Sequence, residues 1–258
     1  MAMAERIAVI TGASGGFGRE FTRLLSADRE IDGIWAIARN QAKLDQLKAD
    51  FGEKIKTFSI DLSDTKAILG FKKVLDKEKP EISYLINNAG FAKLCAYSDI
   101  SVLESVNMID LNCGGVVAMG LVCIPYMSAG SRMLNVASQS AFQPLPYLNI
   151  YGATKAFVRN YSRALNIELK ERGITVTAVC PGWMDTDLFD RARVGAKKAP
   201  RKFAGMVTPG KVAKKALSDA KRGRDISVYG AYVKFCHTLA KVLPQRLMMK
   251  IWLIQQGL

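Results

Sequence analysis

From Arg6 to Tyr229 short apolar β-type runs alternate with amphipathic helical stretches. This alternation leaves the chain few ways to fold. Strands separated by a helix cannot close into hairpins, so they pair in parallel and their helices cover both faces of the sheet. The runs are Arg6–Thr11, Ile34–Ala38, Lys56–Ile60, Tyr84–Asn87, Arg132–Ala137, Thr175–Cys180 and Ile226–Tyr229. Helical spacing marks Gly16–Ala27 (through Phe17, Phe21, Leu24 and Leu25), Gln41–Phe51 and Asp64–Lys77, the last halted before Pro80. It also marks Leu103–Met127, Tyr151–Arg172 with Gly173 in a C-cap position, and Thr208–Lys221. The expected fold is α/β: a single doubly wound parallel β-sheet of about seven strands, flanked by helices on both faces.

A length of 258 residues, 49% apolar and 23% charged, suits one domain spanning 1–258. The start, MAMAERIAVITGAS, has no basic segment leading into a long apolar run, and no stretch reaches the ~18 uncharged apolar residues of a spanning helix. These features predict a soluble, cytoplasmic protein without an integral membrane segment. Cys95, Cys113, Cys123, Cys180 and Cys236 are scattered and His237 is the only histidine, so neither a disulfide framework nor a metal site is expected. The net charge of +14 raises nucleic acid as a partner, but no recognition motif accompanies it. The cations gather between Arg191 and Arg224, in Arg191-Ala-Arg193, Lys197-Lys198, Arg201-Lys202, Lys214-Lys215 and Lys221-Arg222. They read as a solvated lid and helix face, or as a field that draws in an anionic, carrier-linked substrate. The loop-like segment 183–210 is assigned as a substrate lid and 231–258, broken at Pro244, as a helical C-terminal extension. Phe235, Leu239, Val242, Leu243, Leu247, Ile251, Trp252 and Ile254 give that extension an apolar side for packing, for a subunit contact or for a membrane surface.

Between the first strand and first helix lies Thr11-Gly12-Ala13-Ser14-Gly15-Gly16-Phe17-Gly18. Glycines there permit a tight turn and close approach of backbone amides to a pyrophosphate, and the helix start offers oriented donors. The spacing is G-x-x-x-G-x-G, not the G-x-G-x-x-G of the general dinucleotide fingerprint. Gly12, Ser14 and Gly16 also satisfy G-x-S-x-G, the nucleophile elbow of serine hydrolases. That elbow normally follows several strands, and the only available base is His237, so the hydrolase reading is set aside.

The second strand ends without an acid to hold a ribose 2′-hydroxyl, and Arg39 follows it directly. A guanidinium at that point suits a 2′-phosphate, which favours NADP(H) and leaves NAD(H) open. Further on, Tyr151 and Lys155 fall on one face of a helix, about 5–6 Å apart at Cβ. A neighbouring ammonium favours the phenolate, so Tyr151 is a candidate general acid/base. Ser138, just past the fifth strand, can hold a substrate oxygen beside it.

The order of Thr11–Gly18, Asn87-Asn88-Ala89-Gly90, Ser138, Tyr151–Lys155 and Pro181-Gly182 resembles that of the classical short-chain dehydrogenase/reductase (SDR) family, over roughly residues 5 to 190. The resemblance implies a Rossmann fold and a nicotinamide-dependent hydride transfer. It implies catalytic roles for Asn112, Ser138, Tyr151 and Lys155, with Asn112 holding a water-linked proton relay to the lysine. It implies cofactor contacts from Gly12, Ser14, Gly15, Gly16, Phe17, Gly18, Arg39, Asp61, Leu62, Asn88, Ala89 and Gly90. Tyr151, Lys155, Pro181, Gly182 and Thr186 complete that set. It also implies a homodimer or homotetramer formed through the helices around 103–127 and 151–172.

Ala141, Phe142, Pro144, Leu145, Pro146, Tyr147 and Leu148, with Trp183, Met184, Leu188 and Phe189, suggest an apolar pocket. Hydroxysteroids, 3-oxoacyl groups and other lipophilic ketones all fit it. A non-catalytic NADP(H)-binding redox sensor is the alternative function, since a dinucleotide fold alone does not fix turnover.

Overall fold

The computed structural model describes residues 4–186 and 192–258. Its seven strands are β1 (Arg6–Thr11), β2 (Gly33–Ala38), β3 (Ile55–Ser59), β4 (Glu81–Asn87), β5 (Arg132–Val136), β6 (Thr175–Val179) and β7 (Ile226–Ser227). They form one parallel sheet in the order β3-β2-β1-β4-β5-β6-β7. The chain order reverses between β1 and β4, and in open parallel sheets the crevice at such a reversal, beyond the carboxyl ends of the strands, is the binding position.

The helices are α1 (Gly16–Ser26), α2 (Gln41–Phe51), α3 (Thr65–Glu78), α4 (Val102–Ile109), α5 (Gly115–Cys123), α6 (Asn149–Glu168), α7 (Pro209–Lys221), α8 (Ala231–Val242) and α9 (Gln245–Gln256). Successive strand residues point to opposite faces, so each strand feeds two cores. On β1, Ala8 and Ile10 join Phe17, Phe21 and Leu25 of α1 and Val212 and Ala216 of α7. Ile7 and Val9 face the other way, toward Phe71 and Leu75 of α3, Met119 of α5 and Leu165 of α6.

Two differences from the sequence reading have physical causes. β4 begins at Glu81 rather than Tyr84, because Glu81 pairs with Arg6 of β1 even though Glu81 and Ser83 interrupt the apolar run. β7 is only two residues long: it is an edge strand paired to β6 alone, and the chain leaves it for Gly230, whose φ of +90° turns it into α8.

The helical run Val102–Tyr126 is long and apolar enough to cross a membrane, with a mean hydropathy of 1.7, although Glu104 and Asp110 interrupt it in the sequence. Of its most apolar window, 56% is buried inside the protein, as befits a core helix. The run is not one regular helix. Asp110–Gly114 form a π-helical turn between α4 and α5, a local widening that often marks a functional position.

Candidate active site

β1 delivers the chain into the glycine turn at the β1/β4 reversal. Gly12 has a φ of +62°, and a Cβ there would sit 2.9 Å from Asn88 Nδ2, so both conformation and space demand glycine. A Cβ on Gly18 would lie 2.1 Å from the Gly12 carbonyl oxygen, which shows how closely α1 packs on the turn. Asn88 fastens the turn from the β4 side: its Nδ2 donates to the carbonyls of Thr11 at 3.1 Å and Gly12 at 3.2 Å. Thr11 Oγ1 in turn accepts from the Asn88 and Ala89 amides, each at 3.0 Å.

This turn fits a dinucleotide's pyrophosphate. Gly15 caps α1 without a side-chain hydrogen bond, and the first turn of the helix contains no acid. The free amides and positive end of α1 therefore face the cleft with no carboxylate to repel an anion. Thr186 leans on the same turn, its Cγ2 3.1 Å from where a Gly16 Cβ would be.

The cleft has a volume of about 1430 Å³. A single drug-sized ligand occupies roughly 300–1,000 Å³, so there is room for a dinucleotide and a second molecule. Gly12, Ser14, Gly15, Gly16, Phe17, Arg39, Leu62, Asn88, Ala89, Gly90, Ser138, Tyr151, Lys155, Pro181, Gly182 and Thr186 all line it. Gly18, Asp61 and Asn112 do not. Gly18 is spent on packing against Gly12. Asp61, expected to touch the cofactor, turns instead to the Ser63 hydroxyl at 2.7 Å and to Arg39 at 3.9 Å, so an acid stands beside the cation expected at a 2′-phosphate.

At the other end of the cleft, Ser138 follows β5 in extended conformation and its Oγ accepts from the Ser140 amide at 3.1 Å. Tyr151, in the first turn of α6, places its phenol within hydrogen-bonding reach of that hydroxyl. One turn along, Lys155 is 4% exposed; its Nζ donates to the Val136 carbonyl at 2.8 Å and stands 5.7 Å from the Tyr151 ring centre. Burial pushes the phenol up to about 12, against a smaller pull downward from Ser138, and pushes the Lys155 ammonium down to about 8. Without cofactor, burial sets the direction of the phenol's shift, and the Lys155 ammonium is engaged with a carbonyl.

Asn112 occupies the π-helical turn behind the site. Its Oδ1 accepts from the Phe91 amide at 3.1 Å, and its Nδ2 donates to the Phe91 carbonyl at 3.0 Å and to Thr154 Oγ1 at 3.1 Å. Thr154 Oγ1 bonds the Tyr151 carbonyl at 2.8 Å, so Asn112 ties the loop after β4 to the start of α6. A further buried chain was missed by sequence reasoning: Asn87 Nδ2 to Asn135 Oδ1 at 2.8 Å, Asn135 Nδ2 to Ser162 Oγ at 2.9 Å, and Ser162 to the Val158 carbonyl at 2.6 Å. It crosslinks β4, β5 and α6 beneath the cleft. The available signal was an asparagine at the carboxyl end of each of two apolar strands, Asn87 closing β4 and Asn135 next to last in β5.

Of the expected apolar pocket residues, Phe142, Leu145, Leu148, Trp183 and Met184 line the cleft, whereas Ala141, Pro144, Pro146 and Tyr147 do not. Leu188, Phe189 and Arg191 lie outside the described residues. The tail supplies much of the remaining wall, including Phe235, Leu239, Met248 and Trp252. Trp252 stacks on Trp183 with ring centres 6.4 Å apart, and its Nε1 donates to the Pro146 carbonyl at 3.0 Å. His237 stacks on Phe142 at 3.9 Å and does not line the cleft that Ser14 faces, so Ser14 has no histidine base.

Comparison with known proteins gives the same picture. The sequence profile of the short chain dehydrogenases matches residues 6–196. A very-long-chain 3-oxoacyl-CoA reductase of Danio rerio is 30% identical over 254 residues, covering 94% of this chain and 78% of that protein. An NADP-dependent 3-hydroxy acid dehydrogenase of Escherichia coli is 32% identical over 190 residues, covering 72% of this chain and 76% of the relative. The solved structure of a Sphingobium yanoikuyae short-chain dehydrogenase with NADPH superposes at a TM-score of 0.78 with 25% identity, over 95% of this chain and 94% of that one. With that profile matched over nearly three quarters of its length, the chain is an oxidoreductase of the short-chain dehydrogenase family.

Proposed function

We propose that the protein is an NADP(H)-dependent oxidoreductase that interconverts a carbonyl and a secondary alcohol on a lipophilic substrate, with Tyr151 as general acid/base. The observation that carries this reading is the meeting of Ser138, Tyr151 and Lys155 on one wall of a cleft whose far end is the glycine turn at the start of α1. A bound nicotinamide supplies or takes up the hydride. Ser138 and Tyr151 both offer a hydroxyl to the substrate oxygen and fix it in place. The phenol, raised by burial, is protonated at neutral pH and can give its proton to a developing alkoxide. Lys155 keeps its ammonium beside the phenol ring and Asn112 holds the Gly90–Phe91 backbone next to it.

Arg39 and Lys43 both line the cleft past β2, and this pair supports NADP(H) over NAD(H). The names of the Escherichia coli and Sphingobium proteins point the same way. The Arg39–Asp61 pair is mostly exposed, and an exposed pair is weak. It leaves the guanidinium available. Phe142, Leu145, Leu148, Trp183 and Met184 support an apolar substrate. The Danio rerio relative favours a 3-oxoacyl group over a hydroxysteroid or another lipophilic ketone. Val102, Leu103 and Val106 of α4, Leu121 of α5, and Phe157 and Ile167 of α6 are exposed, which supports pairing of these helices with a second copy. Five free cysteines, four of them buried, support a reducing, cytoplasmic compartment.

The test is a panel of 3-oxoacyl thioesters, steroid ketones and aromatic ketones, read by NADPH and NADH absorbance. We expect NADPH oxidation with at least one class. Tyr151→Phe should cut kcat by about 10²–10⁴ while NADPH still binds. Tight NADPH binding without turnover across the panel would leave a redox sensor in its place. Arg39→Asp should weaken NADPH and spare NADH; an unchanged preference would remove Arg39 from the cofactor argument.

A further inference from the structure

The positive charge of this protein is not spread over it. Residues 1–190 carry 21 Lys and Arg against 21 Asp and Glu, so they are neutral. Residues 191–258 carry 16 against 2, and therefore hold the whole of the +14. Both of those acids are already paired: Asp219 is buried among Lys215, Arg224 and Ser227, and Asp225 meets Arg163. From residue 226 to the end there is no acid at all.

The tail arranges its cations beside exposed apolar side chains. On α8, Lys234, Phe235, Thr238, Lys241 and Val242 share the outward face at helical spacing, with Phe235 61% and Val242 75% exposed. On α9, Arg246, Leu247, Lys250, Ile251 and Ile254 do the same, with Ile254 79% exposed. The opposite faces are anchored inward by Val233, Met248 and Trp252. Phe235, Ile251 and Ile254 are exposed and also line the cleft, so they form its rim. The lid joins the same region: the Arg201 and Lys202 amides both donate to Gln256 Oε1, at 3.1 and 2.9 Å, and both residues are exposed.

We propose that α8 and α9 dock the protein peripherally on an anionic lipid bilayer, with the mouth of the cleft against the headgroups. Cations interleaved with aliphatic and aromatic side chains are what the boundary between headgroups and acyl chains accepts: phosphates take the lysines and arginines, and the acyl region takes Phe235, Val242 and Ile254. A second copy of this chain is a poor occupant, because two such faces would set cation against cation with no acid to separate them. A nucleic acid would satisfy the charge and leave the aliphatic side chains against a polar backbone. On the bilayer, a lipophilic substrate passes into the cleft without crossing water.

The test is co-sedimentation of the full chain with vesicles of one part phosphatidylglycerol to two parts phosphatidylcholine, with pure phosphatidylcholine vesicles as the comparison. It needs no turnover, so its failure is separate from failure of the reductase assignment. We expect binding to the anionic vesicles only, weakening as salt is raised. Each cation near such a surface strengthens binding about fivefold, so Lys241→Gln with Arg246→Gln should weaken it about 25-fold. Val242→Gln should weaken it about tenfold through loss of apolar insertion. These three residues do not line the cleft, and NADPH binding and circular dichroism should be unchanged. The proposal is overturned if the anionic vesicles do not bind the chain, or if neither variant weakens binding. It is also overturned if a DNA duplex is bound while the vesicles are not, or if Val242→Gln halves the mass of the protein in solution.

Discussion

Replacing Lys155 by methionine should stabilise the cofactor-free protein at neutral pH while abolishing its activity. The fold lowers the lysine from its ordinary 10.5 to about 8 because the ammonium is buried. At about 1.4 kcal/mol per pKa unit, holding that charge inside costs ~3 kcal/mol at pH 6.5. Methionine fills similar space without charge, but it leaves the Val136 carbonyl, now 2.8 Å from Nζ, without that donor. The lost hydrogen bond returns about 1–2 kcal/mol of the gain. The net is ~1–2 kcal/mol in favour of Lys155→Met, or a Tm higher by roughly 3–6 °C for a chain of this size.

The pH dependence has a definite sign. Between about 8 and 10.5 the unfolded lysine is protonated and the folded one is not. Wild-type stability from this group therefore rises with pH across that window, and the cost falls to ~1 kcal/mol by pH 9.5. Thermal melts of both proteins at pH 6.5 and pH 9.5 isolate the group, since other titrations cancel in the difference. The advantage of the variant should vanish at the higher pH. A variant less stable than wild type at pH 6.5, or a difference that does not change with pH, would refute the claim that Lys155 is a charge held in place at the expense of the fold.

Three further outcomes follow from the geometry. Gly18→Ala pushes a methyl to 2.1 Å from the Gly12 carbonyl, so the turn must shift; overpacking of this kind costs ~1–3 kcal/mol, and isothermal titration should show NADPH binding weakened along with a lower Tm. Trp252→Ala removes the stack on Trp183 and the bond to Pro146, a loss of ~3–5 kcal/mol that should release α9 locally and expose Arg246 and Lys250 to trypsin before the rest of the chain. Asn135→Leu takes the acceptor from the buried Asn87 amide and a donor from the Ser162 hydroxyl, which keeps Val158, and should cost ~1–3 kcal/mol, read as a lower denaturation midpoint.

What could be read from the sequence depended on whether backbone or side chains build the feature. The sheet, its seven strands and the glycine turn rest on periodicity and on residues with unusual backbone freedom, and both survive as local signals. Gly12 is legible because only glycine takes that φ beside Asn88. Tyr151 and Lys155 are legible because one helical turn separates them. The state of those two groups was not, because desolvation is a property of the packed interior: an ammonium four residues away should lower a phenol's pKa, yet burial reverses the direction. Asp61 shows the same limit. It is 22 residues from Arg39, and only the pairing of β2 with β3 brings the two side chains together.

The two halves of the cleft therefore answer to different constraints. The cofactor half is formed by backbone amides, glycines and the start of α1, and a substitution there meets backbone within about 3 Å at Gly12 or Gly18. It has almost no freedom to vary. The substrate half is formed by side chains from the 139–148 loop, Trp183 and the two tail helices, which touch the sheet little and are held chiefly through Trp252, Met248 and Gln256. Side chains there can be exchanged without disturbing the turn, and they reach the Ser138–Tyr151–Lys155 wall through Tyr151, which packs against the cluster of Leu145, Leu148, Trp183 and Trp252. On the proposed readings, the last 28 residues, which lie within the stretch beyond the family profile's match ending at residue 196, carry the surface attachment and share substrate choice with the 139–148 loop and Trp183. Grafting residues 231–258 from a relative with a different substrate should then move specificity while leaving the cofactor preference where Arg39 and Lys43 set it.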